Sequence, residues 1–194
     1  ADNIEIERAI KRDVTLSINL LRIVNTPAAG LRQRIDSLSQ ALIVVGRRQL
    51  QRWLQIMLYA EPGNHGHTQT PLLMLASTRA RLMELLAGRL RPGQRHVADM
   101  AFTVGIMSLM DTLFCVPMAD LVEQIPVSDE VSKALLRRTG FFGELLRLAE
   151  SLEQMEEGTD VLPALSELAA SGDDLMELEM AAFEWSGQVV RSAL

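Results

Sequence analysis

The chain has 194 residues, of which 48% are apolar, with 12 glycines and 7 prolines. This length and composition exclude a disordered or fibrous protein and allow a sizeable hydrophobic core. The net charge of −6 argues against broad nucleic-acid binding, which needs a dense positive surface.

Apolar residues recur at helical spacing along the N-terminal half, whereas the apolar–polar alternation typical of strands is absent. Pro27 and Gly30 predict a turn after the second helix, because the residue before a proline avoids the α region. The run 61–70 contains Pro-Gly and a second glycine, which predicts a loop. The predicted helices are about 4–12, 13–24, 37–46 (or from Ser39), 47–60 and 71–90.

The stretch Gln94–Phe114 is apolar on nearly every side of a helical wheel. A helix of that kind belongs inside a helical domain, so we predict one central buried helix. Its length of about 21 residues would suit a membrane span. Charged and polar residues interrupt it, among them Arg95, Asp99 and Asp111, and these argue against a span.

Further helices are predicted after the central one, each with its own boundary residues. Pro117 and Pro126 bracket MADLVEQI, and Ser128 begins SDEVSKALLRR, which Gly140 ends. The last two helices are predicted at about 160–170 and 173–193. A stripe at i, i+3, i+4 spacing marks the helix before them: Phe142, Leu145, Leu146, Ala149 and Leu152.

These elements predict an all-α fold, a compact multi-helix domain over residues 1–194. A C-terminal helical subdomain at about 141–194 is the alternative. The N-terminal ADNIEIERAIKRD is charged and lacks an apolar stretch, so we predict no signal peptide. Because the chain starts with Ala1 and not methionine, we expect a processed, tagged or excised piece of a longer protein.

The three histidines are the first candidates for metal chemistry. His65 and His67 lie in the predicted loop without a recognised ligand pattern, so a polar solvent loop is the preferred interpretation. His96 and Asp99 share one helical face, with Thr103 beside them. One imidazole and one carboxylate cannot complete a four-ligand shell, so we interpret them as a surface or capping pair.

The hydroxyl and thiol groups near the centre offer no nucleophile with an adjacent base. Ser108 and Thr112 have no nucleophile elbow around them, and we expect both hydroxyls to bond back to the previous helical turn. Cys115 ends an apolar run and is predicted to be an inert packing residue, and a reducing cytoplasm is its expected compartment. We therefore predict no catalytic residue, no metal site and no cofactor.

Basic residues gather between Arg32 and Arg52, and Arg47, Arg48 and Arg52 form the candidate interaction face. A solvated helix face is the alternative interpretation. We expect these three arginines to lie mostly off the inward stripe of their helix. That predicted stripe consists of Leu50, Trp53, Leu54, Met57 and Leu58.

Two stretches resemble one family. LLRIVNTPAAGLRQRIDSLSQALIVVGRRQLQRWL, residues 20–54, is similar to the opening of HDOD domains, and Asp13 stands where that family usually has an aspartate. AFTVGIMSLMDTLF, residues 101–114, resembles the central helix of the same family. The two motifs occur in the family's order.

The resemblance implies a fold related to the HD metal phosphohydrolases, in which a His-Asp pair on the central helix ligates the metal. Ser108 and Leu109 occupy those two positions here, and neither can replace an imidazole and a carboxylate. The preceding helix, Leu72–Leu90, contains no histidine. The resemblance therefore implies a catalytically silent domain and not an enzyme.

The variant motif Gly-Ile-Met-Ser-Leu-Met-Asp looks most like HDOD domains fused behind an EAL domain, the cyclic di-GMP phosphodiesterase domain. We therefore expect a bacterial cytoplasmic signalling module that acts by protein–protein contact, with an adjacent EAL domain or another protein as partner. Neither nucleic acid nor membrane is expected, and the oligomeric state stays open. Two alternatives are kept. One is a divergent phosphohydrolase in which His96, Asp99 and Asp111 converge, with or without His65 or His67. The other is a small-ligand sensor.

Overall fold

A computed structural model describes residues 24–25, 40, 43–44, 46–57, 71–124, 127–154 and 172–193. Within these ranges the chain forms helices and turns, which confirms the predicted all-α class. The helices with described bounds are α1 Arg47–Met57, α2 Pro71–Leu90, α3 Arg95–Met107, α4 Met110–Phe114, α5 Met118–Gln124, α6 Asp129–Arg137, α7 Gly140–Glu153 and α8 Gly172–Ala193.

The chain divides into two compact units, which we name the central and the terminal unit. The central unit comprises Leu75–Glu184, and the terminal unit comprises Ala1–Met74 with Trp185–Leu194. The single domain predicted over 1–194 stays a prediction, as does the alternative subdomain at 141–194.

The core of the central unit lies among α2, α3, α6 and α7. Helix α7 packs on α6 and α3, and α6 also contacts α3 and α5. Since these helices bury apolar side chains against one another, the hydrophobic effect stabilises their packing. Fully buried side chains include Met83, Leu86, Phe102, Ile106, Leu135, Leu145 and Leu146.

Gly105 sets the distance between α2 and α3. A Cβ atom added at Gly105 would lie 2.6 Å from the Cα of Ala80 and 2.9 Å from its backbone nitrogen. No real side chain tolerates such a contact with backbone, so only glycine lets the two helices approach this closely. The approach brings the end of α3 next to Arg79.

The predicted single helix Gln94–Phe114 is wrong in one respect, because it is broken at Ser108 and Leu109. Leu109 has φ −113° and ψ 8°, outside the helical range. The Ser108 hydroxyl donates to the carbonyl oxygen of Gly105 at 2.7 Å. A serine that bonds back to the preceding turn is a known cause of bent helices.

The helix ends around α6 are partly as predicted. The Ser128 hydroxyl accepts a hydrogen bond from the backbone N–H of Val131, which confirms the predicted N-cap. The predicted stop at Gly140 is wrong: α6 ends at Arg137, and Arg138 adopts the left-handed conformation that follows it. Gly140 is instead the first residue of α7.

Other predicted bounds are confirmed where the structure describes them. Helix α2 runs over the predicted 71–90, and α8 begins at Gly172, one residue before the prediction. Val24 is helical and Asn25 lies in a turn, and Gly46 has φ +79° and precedes α1. The five residues of the predicted α7 stripe are all buried.

Several predictions fall outside the described residues. These are the helix at 4–12, most of the helices at 13–24 and 37–46, residues 58–60 of the helix predicted over 47–60, the turn at Pro27 and Gly30, the loop at 61–70 with His65 and His67, and the helix at 160–170. Asp13 and most of the first HDOD-like motif also lie outside them.

Among the described residues, the segment Arg95–Phe114 is long and apolar enough to cross a membrane. Length and composition alone do not distinguish such a span from a core helix. Most of its apolar window, 56%, is buried inside the protein, as in the core helix of a folded domain.

Candidate functional site

Arg79 lies on the inward face of α2 and is only 6% exposed. It stands three residues after Ala76 and four before Met83, both fully buried. A charged side chain in such a place needs a counter-charge and hydrogen-bond acceptors, because desolvating an unpaired guanidinium is very unfavourable. Helices α3 and α7 supply those partners.

Glu153 at the end of α7 neutralises Arg79. The Nε atom donates to Oε1 of Glu153 at 2.8 Å, and Nη2 donates to Oε2 of the same carboxylate. Two parallel bonds of this kind hold a guanidinium and a carboxylate in one plane and fix their orientation. The Glu153 side chain is 23% exposed, so water still reaches one side of the pair.

Ser108, at the break between α3 and α4, is the third partner. Its hydroxyl accepts a hydrogen bond from Nη1 of Arg79 at 2.8 Å while donating to the Gly105 carbonyl. The serine is 4% exposed. Both of the hydroxyl's hydrogen-bonding functions are thus used inside the protein.

Arg138 and Glu150 extend the arrangement at the junction of α6 and α7. Arg138 donates from Nε and Nη2 to the two carboxylate oxygens of Glu150, at 3.0 and 2.8 Å. Glu150 Oε1 also lies 3.8 Å from Nη1 of Arg79. We name these five residues, Arg79, Ser108, Arg138, Glu150 and Glu153, the Arg79 cluster.

The Arg79 cluster holds two cations and two anions and so carries no net charge. Each guanidinium has a bidentate carboxylate partner, and the hydroxyl of Ser108 is fully bonded. Such a set provides neither a base held free to take a proton nor an activated nucleophile. Its chemistry is that of a structural ion-pair network, which orients α2, α3, α6 and α7.

The predicted histidine–carboxylate pair lies elsewhere on α3. His96 is exposed and Asp99 is half-buried, and the Thr103 hydroxyl donates to the carbonyl oxygen of Asp99. Asp111 bonds the backbone N–H and the hydroxyl of Thr112. The described residues include no group of three or more histidine, cysteine or acidic side chains placed to hold a metal ion.

The hydroxyl predictions are half right. Ser108 does bond back to the previous turn. Thr112 instead donates to the Asp111 carboxylate, at 3.3 Å. The prediction that Cys115 packs inside is wrong: it is exposed and adopts the left-handed conformation, φ +54°, that ends α4.

The predicted interaction face on α1 is not continuous. Arg47 and Arg48 are exposed, but Arg52 is only 9% exposed, so it does not lie off the buried face as expected. Its guanidinium carbon lies 5.3 Å from the ring centroid of Trp185, within the terminal unit. A cation over an indole ring is a stable arrangement, which explains how an arginine is accommodated there. Leu50 is buried as predicted.

Sequence reasoning missed Arg79, Arg138, Glu150 and Glu153. The spacing contained one signal, because Arg79 lies three residues after Ala76 and four before Met83, on the same apolar face of α2. Glu153 likewise lies four residues after Ala149 in the α7 stripe. A charge within such a stripe indicates a buried partner of opposite sign, although the sequence does not say which one.

A family model described as the HDOD domain matches residues 2–130. The chain belongs to the HDOD family. This confirms the resemblance drawn from the two motifs. The HDOD match ends within α6, so α7, with Glu150 and Glu153, follows the matched region.

Two curated proteins are similar to this HDOD chain. An uncharacterized protein of Bacillus subtilis, YuxH, is 30% identical over 91% of the chain and 42% of its own length. The cyclic di-GMP phosphodiesterase CdgJ of Vibrio cholerae is 30% identical over 98% of the chain and 43% of its own length. The chain thus spans about two fifths of each relative. No solved structure matches it significantly.

The surroundings of Ser108 do not fit the metal that the HD superfamily binds. Of the two positions that the resemblance predicts to correspond to its His-Asp pair, one carries a hydroxyl already bonded to Arg79 and Gly105. The other, Leu109, has no donor atom in its side chain. A divalent cation at Ser108 would also lie beside the buried guanidinium, and like charges repel strongly where water is excluded.

Proposed function

We propose that this HDOD chain is a non-catalytic signalling module that acts by contact with a protein partner. The observation that carries the proposal is the hydrogen bond from Arg79 to Ser108. The guanidinium of Arg79 lies next to Ser108, the position at which the resemblance predicts that the wider superfamily binds its metal. The resulting ion-pair network supports a rigid scaffold and provides no catalytic group.

The proposed setting is cyclic di-GMP signalling in the bacterial cytoplasm. Support comes from CdgJ, whose name describes a cyclic di-GMP phosphodiesterase and which is similar over nearly the whole chain. The variant of the central motif, which resembles that of HDOD domains fused behind an EAL domain, supports the same setting. Since the chain spans only 43% of CdgJ, the phosphodiesterase activity is a property named for the longer protein. The partner is proposed to be an adjacent EAL domain or a separate protein.

The test is a combined metal and activity measurement. The full chain is loaded with Mn²⁺, Fe²⁺ and Zn²⁺, and its metal content is measured by mass spectrometry. The same samples are assayed for hydrolysis of nucleotides and of cyclic di-GMP. We expect no stoichiometric metal and no turnover.

A matched variant addresses the role of the cation. In Arg79→Met with Glu153→Gln the repulsion is removed without leaving the Glu153 carboxylate unpaired. Ser108 and Leu109 still supply no imidazole or carboxylate, so we expect metal binding to stay absent. Stoichiometric metal in the unaltered chain, together with turnover that His96→Ala abolishes, would overturn the proposal in favour of a rearranged phosphohydrolase.

A further inference from the structure

Helix α8 carries an exposed apolar stripe in the central unit. Met176, Met180 and Phe183 are 67%, 62% and 59% exposed. Their spacing of four and three residues places them within an arc of about 60° on one side of an ideal helix. The buried residues Leu175 and Ala182 face another direction. We name Met176, Met180 and Phe183 the α8 stripe.

Single exposed apolar residues are common on protein surfaces, whereas aligned ones form a continuous patch, and the largest such patch of a protein is often a binding site. The alternation of four and three residues is that of the d and a positions of a heptad, by which one helix packs against another. Methionine adapts its shape to a partner, and phenylalanine supplies a large rigid contact. The spacing therefore indicates a helical partner.

Acidic side chains border the α8 stripe on both sides. Glu177 and Glu184 occupy the e positions of the same heptad, and Glu179 occupies a g position. None of these three glutamates forms an ion pair within the described part of the chain. Asp174, one turn earlier, differs from them because it is paired with Arg89 at 2.7 Å.

We propose that the α8 stripe is a docking surface for an amphipathic helix of a partner protein, with lysine or arginine along both of its edges. This rests on the proposed function, which requires a protein contact, and names the surface and the partner chemistry. We infer a basic partner helix because its lysine or arginine side chains would pair with the glutamates at the edges of the α8 stripe. A second copy of α8 would set glutamate against glutamate, and an anionic membrane would be repelled for the same reason.

The probes are two synthetic helical peptides with the same leucine and isoleucine heptad core. One carries lysine at every e and g position, and the other carries glutamate. Binding of each labelled peptide to the full chain is measured by fluorescence anisotropy. We expect the lysine peptide to bind at least about 10-fold more tightly, and its affinity to fall as salt is raised.

Variants locate the contact. Met180→Glu with Phe183→Glu is expected to weaken lysine-peptide binding by about 10-fold or more, as for truncated interface anchors. Leu136→Glu is the matched control, because Leu136 is also an exposed apolar residue, 44% exposed, but lies on α6. It should leave binding unchanged. Circular dichroism verifies the fold of each variant.

A charge exchange keeps the test decisive even if the double glutamate variant fails to fold. Glu177→Lys with Glu184→Lys alters only exposed edge residues and should reverse the preference toward the glutamate peptide. Equal binding of both peptides, no binding of either, or an unchanged preference after the charge exchange would overturn the proposal. So would self-association through α8 or capture by anionic vesicles in place of the lysine peptide.

These outcomes are independent of the metal and turnover measurements. A chain that binds no peptide and shows no turnover loses the docking surface but keeps its non-catalytic assignment. A chain that hydrolyses nucleotides loses that assignment whichever peptide it binds.

Discussion

The Arg79 cluster and the α8 stripe, both in the central unit, differ in which side chains they bury: the cluster buries a charged side chain, whereas the stripe leaves apolar side chains exposed. The cluster holds one buried charge, Arg79, with partly exposed charges around it, and every charge there has a partner. The stripe exposes apolar side chains, and the charges beside it have none within the described residues. A buried charge is compatible with a stable fold when the protein itself supplies its ion-pair and hydrogen-bond partners. An exposed apolar face with unpaired charges at its edges is instead the surface that we propose as a docking site for another protein.

The largest effect is expected from breaking the buried ion pair. Arg79→Met leaves the Glu153 carboxylate without its bidentate partner and should lower the free energy of unfolding by about 3 kcal/mol. Arg89→Met is the matched control on the same helix, since Arg89 is also paired with a carboxylate but its side chain is 65% exposed. It should cost less than about 1 kcal/mol. Urea unfolding curves of the two variants give the comparison.

A double variant separates the interaction energy of the Arg79–Glu153 pair from the cost of leaving one of its charges without a partner. Arg79→Met with Glu153→Gln should be less destabilised than the sum of the two single variants, because no lone charge remains. Simple additivity would contradict the role assigned to this pair.

A smaller effect is expected from separating α2 and α3. Gly105→Ala places a methyl group against the backbone of Ala80 and should destabilise the protein by about 2 kcal/mol. Gly88 on α2 is the control, because an added Cβ there meets nothing within 4 Å. Gly88→Ala should be neutral or stabilising, by up to about 1 kcal/mol, through helix propensity. Thermal unfolding that affects both variants alike would show that the close approach does not matter.

Removing the hydroxyl of the cluster should have a moderate effect. Ser108→Ala takes one acceptor from Arg79 but leaves its bidentate carboxylate, so a loss of about 1 kcal/mol is expected. Ser132→Ala, on the half-buried side of α6, is the reference and should change stability by less than about 0.5 kcal/mol. Chemical denaturation measures both. A loss at Ser108 as large as that of Arg79→Met would mean that the hydroxyl, and not the carboxylate, holds the guanidinium.

The smallest effect on stability is expected at the α8 stripe. Met180→Ala removes an exposed side chain and should change the free energy of unfolding by less than about 0.5 kcal/mol. Met83→Ala, at a fully buried methionine of α2, should cost about 2–5 kcal/mol. A large loss at Met180 would show that the stripe is packed inside the protein and is not a surface for recognition.

Local patterns predicted much of the helical framework correctly. The start of α2 at Pro71, the Ser128 cap and the buried stripe of α7 each depend on neighbouring residues, so the sequence contains the necessary information. The break at Ser108 could not be predicted this way. The apolar pattern continues through it, whereas the guanidinium that bonds Ser108 belongs to a residue 29 positions earlier.

Surface and interior were less well predicted for long or small side chains. Arg52 was expected on an exposed face, but the ring of Trp185, distant in sequence, covers it. Cys115 was expected inside, but helix α4 ends at that residue in a left-handed conformation and its side chain is exposed. In both cases contacts between distant segments or the direction of the chain decided burial, and neither is encoded in helical spacing.

The sequence by itself determined the helical class and the HDOD relationship, and it predicted that Ser108 and Leu109 replace the His-Asp pair, because motifs and periodicity are local properties of the chain. Only the tertiary structure decided that Arg79 occupies the space beside Ser108, that Glu150 and Glu153 balance the charges there, and that α8 leaves Met176, Met180 and Phe183 exposed. Those features depend on which helices meet in space, and the packing of the whole core selects that arrangement.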